Sequence, residues 1–421
     1  MKDLVSDLPA AANKRERNGD HGKRPEESPT KVPFPKKHRR RHQRNNQVQG
    51  QRRRLHHRGF EARQGHHRQV TGRAVFPDFE YLSLEDIDIR AEAQEDPRGF
   101  LERRKKCFIL DEVQHAPQLF SYLQGYADRQ KEPGRIVLTG SQNFRLMESI
   151  TQSLAGRVGL IELLPFSWEE LRHSSRAGRD LDAVLFTGAY PPVHDRDLAP
   201  EDWYPRYIQT YIDRDVRTLR NIGDLVSFQK FVRLCAGRIG QLLNQSGLAN
   251  ECGIDTKTAQ AWLSVLEASY LVIRLQPHSR NFNKRLVKQP KLYFTDTGLA
   301  CALLRIETSN QLETHFLRGG LFENWVILEF LKKRYNEGKR SNLFFWRDHL
   351  GREIDLIREE ADRLHAVEIK SGATVNDSFF SNLSWYQKTA GKTLASSTLI
   401  YGGTRASRRM DTDVLPWQQL A

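Results

Sequence analysis

The sequence is poor in cysteine. It has four, Cys107, Cys235, Cys252 and Cys301, and no C-x-x-C pair. That spacing supports neither a zinc ribbon nor a disulfide framework. It points to reduced thiols in a cytoplasmic protein. Long apolar runs are also lacking. No window approaches the roughly 20 consecutive apolar residues that span a bilayer. Charged residues make up 28% of the chain, which excludes an integral membrane protein. The first 30 residues have no apolar core, so no secretory signal is expected. Hydrophobic residues account for only 38% of the 421. That is enough for cores in two or three domains of about 100–200 residues each. It is low for the length, and implies that part of the chain does not fold.

Positive charge is abundant but unevenly placed. Lys and Arg number 66 against 52 Asp and Glu, a net of +14. The stretch Met1–Arg73 alone holds 20 basic and 7 acidic residues, and half the histidines. The other 348 residues are left with a net of only +1. The basic stretch includes Lys36-Lys37-His38-Arg39-Arg40-Arg41 and Arg52-Arg53-Arg54. Its sparse apolar residues follow neither a strand nor a helix period. Such a segment cannot bury enough surface to offset chain entropy, so a disordered N-terminus is expected. Two readings stand side by side: a basic arm for nucleic acid, and a solvated tail or a non-native reading of the gene.

Order is expected from about Ala74. Strands are predicted at Glu80–Leu84, Cys107–Leu110, Arg135–Ser141 and Val158–Leu164, with helices at Ile89–Glu95, Gln118–Arg129 and Phe144–Ser153. Asp96-Pro97-Arg98-Gly99 reads as a break after the first helix. Strands alternating with helices argue for a parallel α/β sheet. Residues 168–235 read as helical. Leu242–Cys252 and Thr256–Leu266, then a strand at Tyr270–Leu275, have the outline of a winged helix. A connector holds a strand at Lys291–Phe294 and a helix at Gly298–Leu304. The last region reads as helix Phe322–Tyr335, strands Asn342–Trp346, Glu353–Ile357 and Leu364–Lys370, helix Ser378–Thr389 and strand Ser397–Tyr401. The expected domains are 1–73, 74–167, 168–235, 236–276, 277–312 and 313–421.

Two constellations carry chemistry. Cys107-Phe108-Ile109-Leu110-Asp111-Glu112 has the form of a Walker B element. Asp111 at the end of a buried strand suits Mg²⁺, and Glu112 suits polarising a water that attacks a γ-phosphate. Thr139, Ser141 and Gln142 end the next strand, as a sensor of that phosphate would; the bland reading is a turn with a helix cap. Arg157 is a candidate for stabilising phosphoryl charge, or a plain exposed strand-end arginine. The phosphate loop G-x-x-x-x-G-K-[ST] is absent. Gly391-Lys392-Thr393 imitates its end, but Tyr386 replaces its first glycine and the site lies far downstream of Asp111. In the second constellation, Glu368 and Lys370 share one face of a strand. Asp355 lies on the strand before and Glu323 on the preceding helix. This is the PD-(D/E)xK pattern. Asp355 and Glu368 would hold Mg²⁺ or Mn²⁺, Glu323 would support a ligand, and Lys370 would orient the activated water. The alternative is a salt bridge between Lys370 and its acidic neighbours. Thr256, Lys257, Thr258, Gln260 and Trp262 are the residues a winged helix would turn to DNA. Few basic residues line that helix, and winged helices also contact proteins.

Together these motifs resemble a prokaryotic family of AAA-type ATPases. Its members carry a C-terminal domain of unknown function related to PD-(D/E)xK nucleases. The resemblance rests on Tyr81-Leu82-Ser83-Leu84-Glu85-Asp86, Phe108-Ile109-Leu110-Asp111-Glu112-Val113-Gln114, Leu138-Thr139-Gly140-Ser141-Gln142 and Ser153-Leu154-Ala155-Gly156-Arg157. Further along it rests on Tyr211-Ile212-Asp213-Arg214-Asp215-Val216, Leu292-Tyr293-Phe294-Thr295-Asp296-Thr297-Gly298-Leu299 and Val367-Glu368-Ile369-Lys370-Ser371-Gly372. It implies an ATPase core, a helical lid, a winged helix and a nuclease-like end, with ATP and Mg²⁺ as cofactors and rings or dimers as assemblies. It also implies a Walker A loop just upstream of Ala74, where this sequence departs completely. The expectation is an AAA-type protein of unknown process that cannot bind ATP, its first strand and loop replaced by a frame change or a degraded gene start. Reading the other frames of the upstream DNA tests that origin. The alternatives are a metal-dependent nuclease and a non-catalytic module binding DNA or protein.

Overall fold

The computed structural model describes residues 78–420, apart from 105, 130–133, 141–153, 155, 173–179, 217–221 and 279–286; of 213–216 it describes only the backbone. The basic segment 1–73 and the helix expected at Phe144–Ser153 lie outside the described residues. All described residues belong to one compact unit, Arg44–Ala421.

The first layer is a parallel sheet. Strands β1 (Glu80–Ser83), β2 (Phe108–Asp111) and β3 (Ile136–Leu138) lie in that order. Every residue of β2 is buried, as expected of a central strand in a parallel sheet. Leu82 pairs with Leu110, and Leu110 with Leu138. Helix α1 (Ile87–Glu95) starts where Asp86 accepts from Asp88 N and Ile89 N. The expected break at Asp96-Pro97 ends α1, and the same residues start a new helix, α2 (Pro97–Glu102): the Asp96 side chain accepts from Gly99 N, and Pro97 sits in the first turn, where no N–H is needed. Helix α3 (Leu119–Arg129) buries Leu119, Phe120, Leu123 and Tyr126 on one face.

Val158–Leu164 departs from expectation. It forms no strand, and Val158, Leu160, Ile161 and Leu163 are exposed. An apolar run makes a strand only when a neighbour exchanges backbone hydrogen bonds with it. Among the described residues none does.

The middle of the chain is helical. It runs through α4 (Trp168–Leu171), α5 (Leu181–Thr187), α6 (Pro191–Asp195) and α7 (Pro200–Tyr207), and passes into a π-helical stretch, Ile208–Val216. Then come α8 (Leu225–Ala236), α9 (Gln245–Cys252) and α10 (Thr256–Ala268). Gly253 closes α9 in the left-handed conformation and Asp255 caps α10. A hairpin-like pair, β4 (Val272–Leu275) antiparallel to β5 (Lys291–Phe294), and helix α11 (Thr297–Leu303) complete this part.

The last part is built on helix α12 (Arg318–Asn336) and a six-stranded mixed sheet. Its strands are β6 (Leu343–Arg347), β7 (Glu353–Glu360), β8 (Arg363–Lys370), β9 (Leu394–Tyr401), β10 (Ser407–Arg409) and β11 (Thr412–Pro416). The order is β10-β11-β9-β8-β7-β6, with β8–β9 and β9–β11 parallel. Helix α13 (Ser381–Ala390) makes the crossover from β8 to β9. The two closing strands were not legible: Ser407-Arg408-Arg409 is fully exposed and lacks any apolar alternation.

One hydrophobic core runs from Leu164 to Trp417 and unites the middle and last parts, while the β1–β3 sheet has its own. Trp168, Trp325 and Trp417 form an aromatic trio with centroids 5.1–6.0 Å apart. Beside them Glu329 accepts from Trp168 N at 2.6 Å, and Lys332 donates to Phe166 O at 2.7 Å. Asn324, fully buried on α12, bridges both backbone groups of Phe294 at the end of β5.

Candidate functional site

Parallel register decides the first site. Thr139 follows β3 just as Asp111 ends β2, and Thr139 N donates to Leu110 O at 2.9 Å. The two side chains therefore meet: Thr139 Oγ1 donates to Asp111 Oδ1. Tyr81 on β1 donates to Asp111 Oδ2 at 2.5 Å. Asp111 and Glu112 are both buried. Glu112 has φ 53° and ψ 46°, a left-handed conformation costing roughly 1–2 kcal/mol in a residue with a Cβ. The bond from Val113 N to Thr139 O, at 3.0 Å, helps to hold it. Gln114 donates to Glu112 Oε2. Backbone strain of this kind clusters where a side chain must be aimed. Arg157 forms a two-pronged ion pair with Asp128 near the end of α3, at 2.7 and 3.1 Å, which holds Asp128 below the usual carboxylate range. Ser141 and Gln142 lie outside the described residues.

The second site forms where α12, β5, β7 and β8 converge. Antiparallel pairing of β7 with β8 brings Asp355 to Glu368 and Lys370. Lys370 Nζ is 2.7 Å from Glu368 Oε1 and 3.4 Å from Asp355 Oδ2. Ile369 N also donates to Asp355 Oδ2, at 2.8 Å. Burial pushes the Glu368 carboxyl up to about 8; Asp355 adds to the rise and Lys370 opposes it. Glu368 Oε2 has no partner within hydrogen-bond distance, although the Asn382 side chain is near enough to hold the carboxyl's rise in check. Glu323 on α12 reaches the same place. One oxygen each of Glu323, Glu353 and Asp355 lie within 4.8 Å of one another.

Sequence reasoning missed Lys291, Tyr293 and Glu353 here. Lys291 Nζ is 2.8 Å from Glu323 Oε1 and also bonds Glu353 Oε1. Tyr293 donates to Glu323 Oε1 at 2.6 Å, and Arg347 reaches Glu353 Oε2 at 3.0 Å. Burial pushes the Glu323 carboxyl up to about 7, against the pull of Lys291 and with the help of Asp355. Burial alone would lower the Lys291 ammonium, but Glu323, Glu353 and Asp355 outweigh it and raise its pKa above the ordinary value. The one signal in the sequence was that Lys291 and Tyr293, two apart on a strand, share a face.

The helical pair α9–α10 behaves differently from the expectation for one residue. Thr256, Lys257 and Gln260 are exposed, and Thr258 takes part in the Asp255 cap at 2.9 Å. Trp262, expected to face DNA, is buried edge-on against Phe228 and Phe231. Its large apolar surface is worth more in the core than at an exposed position.

Three family models match the chain. One is an AAA domain, over residues 68–172. The others are domains of unknown function, DUF8612 over 178–310 and DUF4143 over 318–420. Among curated proteins, the chain is 29% identical over 283 residues to an uncharacterized protein of Mycobacterium tuberculosis, covering 66% of this chain and 62% of the relative. An uncharacterized protein of Mycobacterium bovis matches to the same extent. An uncharacterized protein of Haemophilus influenzae is 23% identical over 315 residues, covering 70% of this chain and 72% of that one. The chain thus spans about three fifths of the mycobacterial relatives it matches. No solved structure matches it. Among the described residues, no helix is long and apolar enough to cross a membrane.

Proposed function

We propose that this chain is an ATPase-like protein that keeps the metal-facing half of an ATPase site and lacks the phosphate-holding half. The observation that carries this reading is the meeting of Asp111 and Thr139 at adjacent strand ends, with Glu112 held left-handed beside them. The fit to Mg²⁺-ATP is partial. The buried carboxylates Asp111 and Glu112 suit a metal and a polarised water. The backbone cradle and lysine that hold phosphates have no counterpart, because the sequence contains no G-x-x-x-x-G-K-[ST]. The expected result is no saturable heat when Mg-ATP is titrated into the full chain. Micromolar affinity that Asp111→Asn weakens would overturn the reading.

A second reading is favoured by one observation, the contact of Lys370 with both Asp355 and Glu368. Glu368 is buried beside Asp355 and Lys370. A divalent metal supplies an activated water in such a site. Asp355 and Glu368 are the residues that would hold it. Lys370 would stabilise charge on a phosphodiester. Incubating DNA with Mg²⁺ or Mn²⁺ tests this. Metal-dependent cleavage lost in Lys370→Ala supports it, and absence of cleavage by the native chain sinks it.

A further inference from the structure

We propose that the surface beside the carboxyl ends of β8 and β9 binds single-stranded DNA, with one base stacked on Phe316 and a phosphate held by Arg405. The surface adjoins Lys370, so this inference rests on the nuclease-like reading and gives it a substrate class.

Phe316 is 83% exposed, and no other large hydrophobic side chain among the described residues is as open. Its ring lies nearly flat against His315, with centroids 4.8 Å apart and planes 25° from parallel. His315 is fixed in turn. Leu317 N donates to its Nδ1 at 3.2 Å, and Arg318 N donates to its carbonyl at 3.0 Å. One face of the phenyl ring is therefore backed by an anchored imidazole, and the other is open to solvent. A docked protein would call for a contiguous apolar patch. Here the ring stands alone: the other exposed large hydrophobics after α12, Leu350 and Met410, sit in the β6–β7 and β10–β11 turns. A lone flat ring suits a nucleobase, which stacks whatever its identity. The base must be unpaired, because a duplex covers its faces.

A free cation lies along the same edge. Arg318, two residues after Phe316, donates from Nη1 to Ser371 O at 2.8 Å. Ser371 follows Lys370 at the end of β8. Gly402, just past β9, donates from N to Lys370 O at 3.0 Å and to Gly372 O at 3.2 Å. Arg405 stands three residues further on. Its backbone is held by buried Tyr401, whose hydroxyl donates to Arg405 O at 2.7 Å and accepts from Arg405 N at 3.0 Å. The Arg405 side chain is exposed and has no ion pair among the described residues, whereas Arg408 and Arg409 pair with Asp413 and Asp377. A guanidinium matches the geometry of a phosphate. Strands β8 and β9 are parallel, and the carboxyl ends of such strands are where open α/β sheets receive ligands. Ring and guanidinium are both exposed on anchored backbone, as a preorganised site requires.

The test is photocrosslinking of the full chain, in a metal chelator, to an oligothymidylate of about 12 nucleotides. The probe carries one iododeoxyuridine, and adducts are mapped by peptide mass spectrometry. The expected adduct is on Phe316, and it should persist on the ring in Phe316→Tyr. Arg405→Ala should lower the Phe316 yield about threefold or more and reduce its salt slope by about one. Unlabelled single strand should compete for the adduct, and duplex of the same sequence should not. Adducts confined to the basic segment 1–73 overturn the proposal, as does a Phe316 yield that Arg405→Ala leaves unchanged or that duplex abolishes equally well. A Phe316 adduct without metal-dependent cleavage removes the nuclease-like reading alone. Cleavage without the adduct removes this surface alone.

Discussion

Asp296→Ala is expected to destabilise the chain by on the order of 3–5 kcal/mol, measured by urea denaturation. Asp296 is 1% exposed. Its carboxylate accepts from Ala189 N at 2.6 Å, Tyr204 Oη at 2.7 Å and Leu299 N at 2.8 Å. These donors belong to the loop after α5, to α7 and to α11, so one side chain joins three segments. Each buried donor left without an acceptor costs about 1–3 kcal/mol, and bonds to a charged group lie at the upper end. Gly298 shows how tightly this hub is built. A Cβ there would sit 2.4 Å from Tyr204 Oη, so alanine cannot enter without moving the tyrosine. Asp296→Asn should cost less, since an amide oxygen still accepts. A loss below ~1 kcal/mol for alanine would show that these bonds are not what joins the segments.

Lys370→Met is expected to cost about 2–4 kcal/mol at pH 9 and clearly less at pH 6. Removing the ammonium leaves Asp355 and Glu368 facing each other in a buried site. Lys370 is itself 31% exposed, so solvent screening keeps the figure toward the low end. The sign of the pH dependence follows from Glu368. Burial and Asp355 raise its carboxyl to about 8 in the folded chain, above the ordinary unfolded value of about 4.3. A raised acid favours folding at low pH, and that contribution is lost as pH rises through the folded value. At pH 6 Glu368 therefore keeps its proton and tolerates the missing lysine; the cost grows as pH rises toward and past the folded value, which loss of Lys370 moves higher still. The double variant Lys370→Met/Glu368→Gln should recover most of the loss at pH 9. Equal costs at both pH values would sink this account. The comparison also separates roles, because a lysine needed only for chemistry would leave stability unmoved.

Much of the fold was legible because local patterns agreed with it. The alternation at β7 and β8, the helical period of α3 and the caps at Asp86 and Asp255 are all local signals. Elsewhere context decides what local pattern leaves open. Asp96-Pro97 stops one helix and starts another, and the same residues serve both ends. Val158–Leu164 has strand-like composition but no partner among the described residues. Trp262 reads equally well as a surface aromatic or as core, and packing against Phe228 and Phe231 settles it.

The sequence by itself determined that an acid pair ends an apolar strand, that it contains no G-x-x-x-x-G-K-[ST], and that Asp355, Glu368 and Lys370 have the spacing of one site. These are facts of order along the chain. Only the tertiary structure decided that Thr139 binds Asp111, that Arg157 pairs with Asp128, and that Lys291 enters the cluster of Glu323, Glu353 and Asp355. The physical reason is distance. Lys291 lies 32 residues before Glu323, and no periodicity links them. They meet because β5 and α12 pack on one core, where a buried ammonium must find carboxylates wherever the chain supplies them.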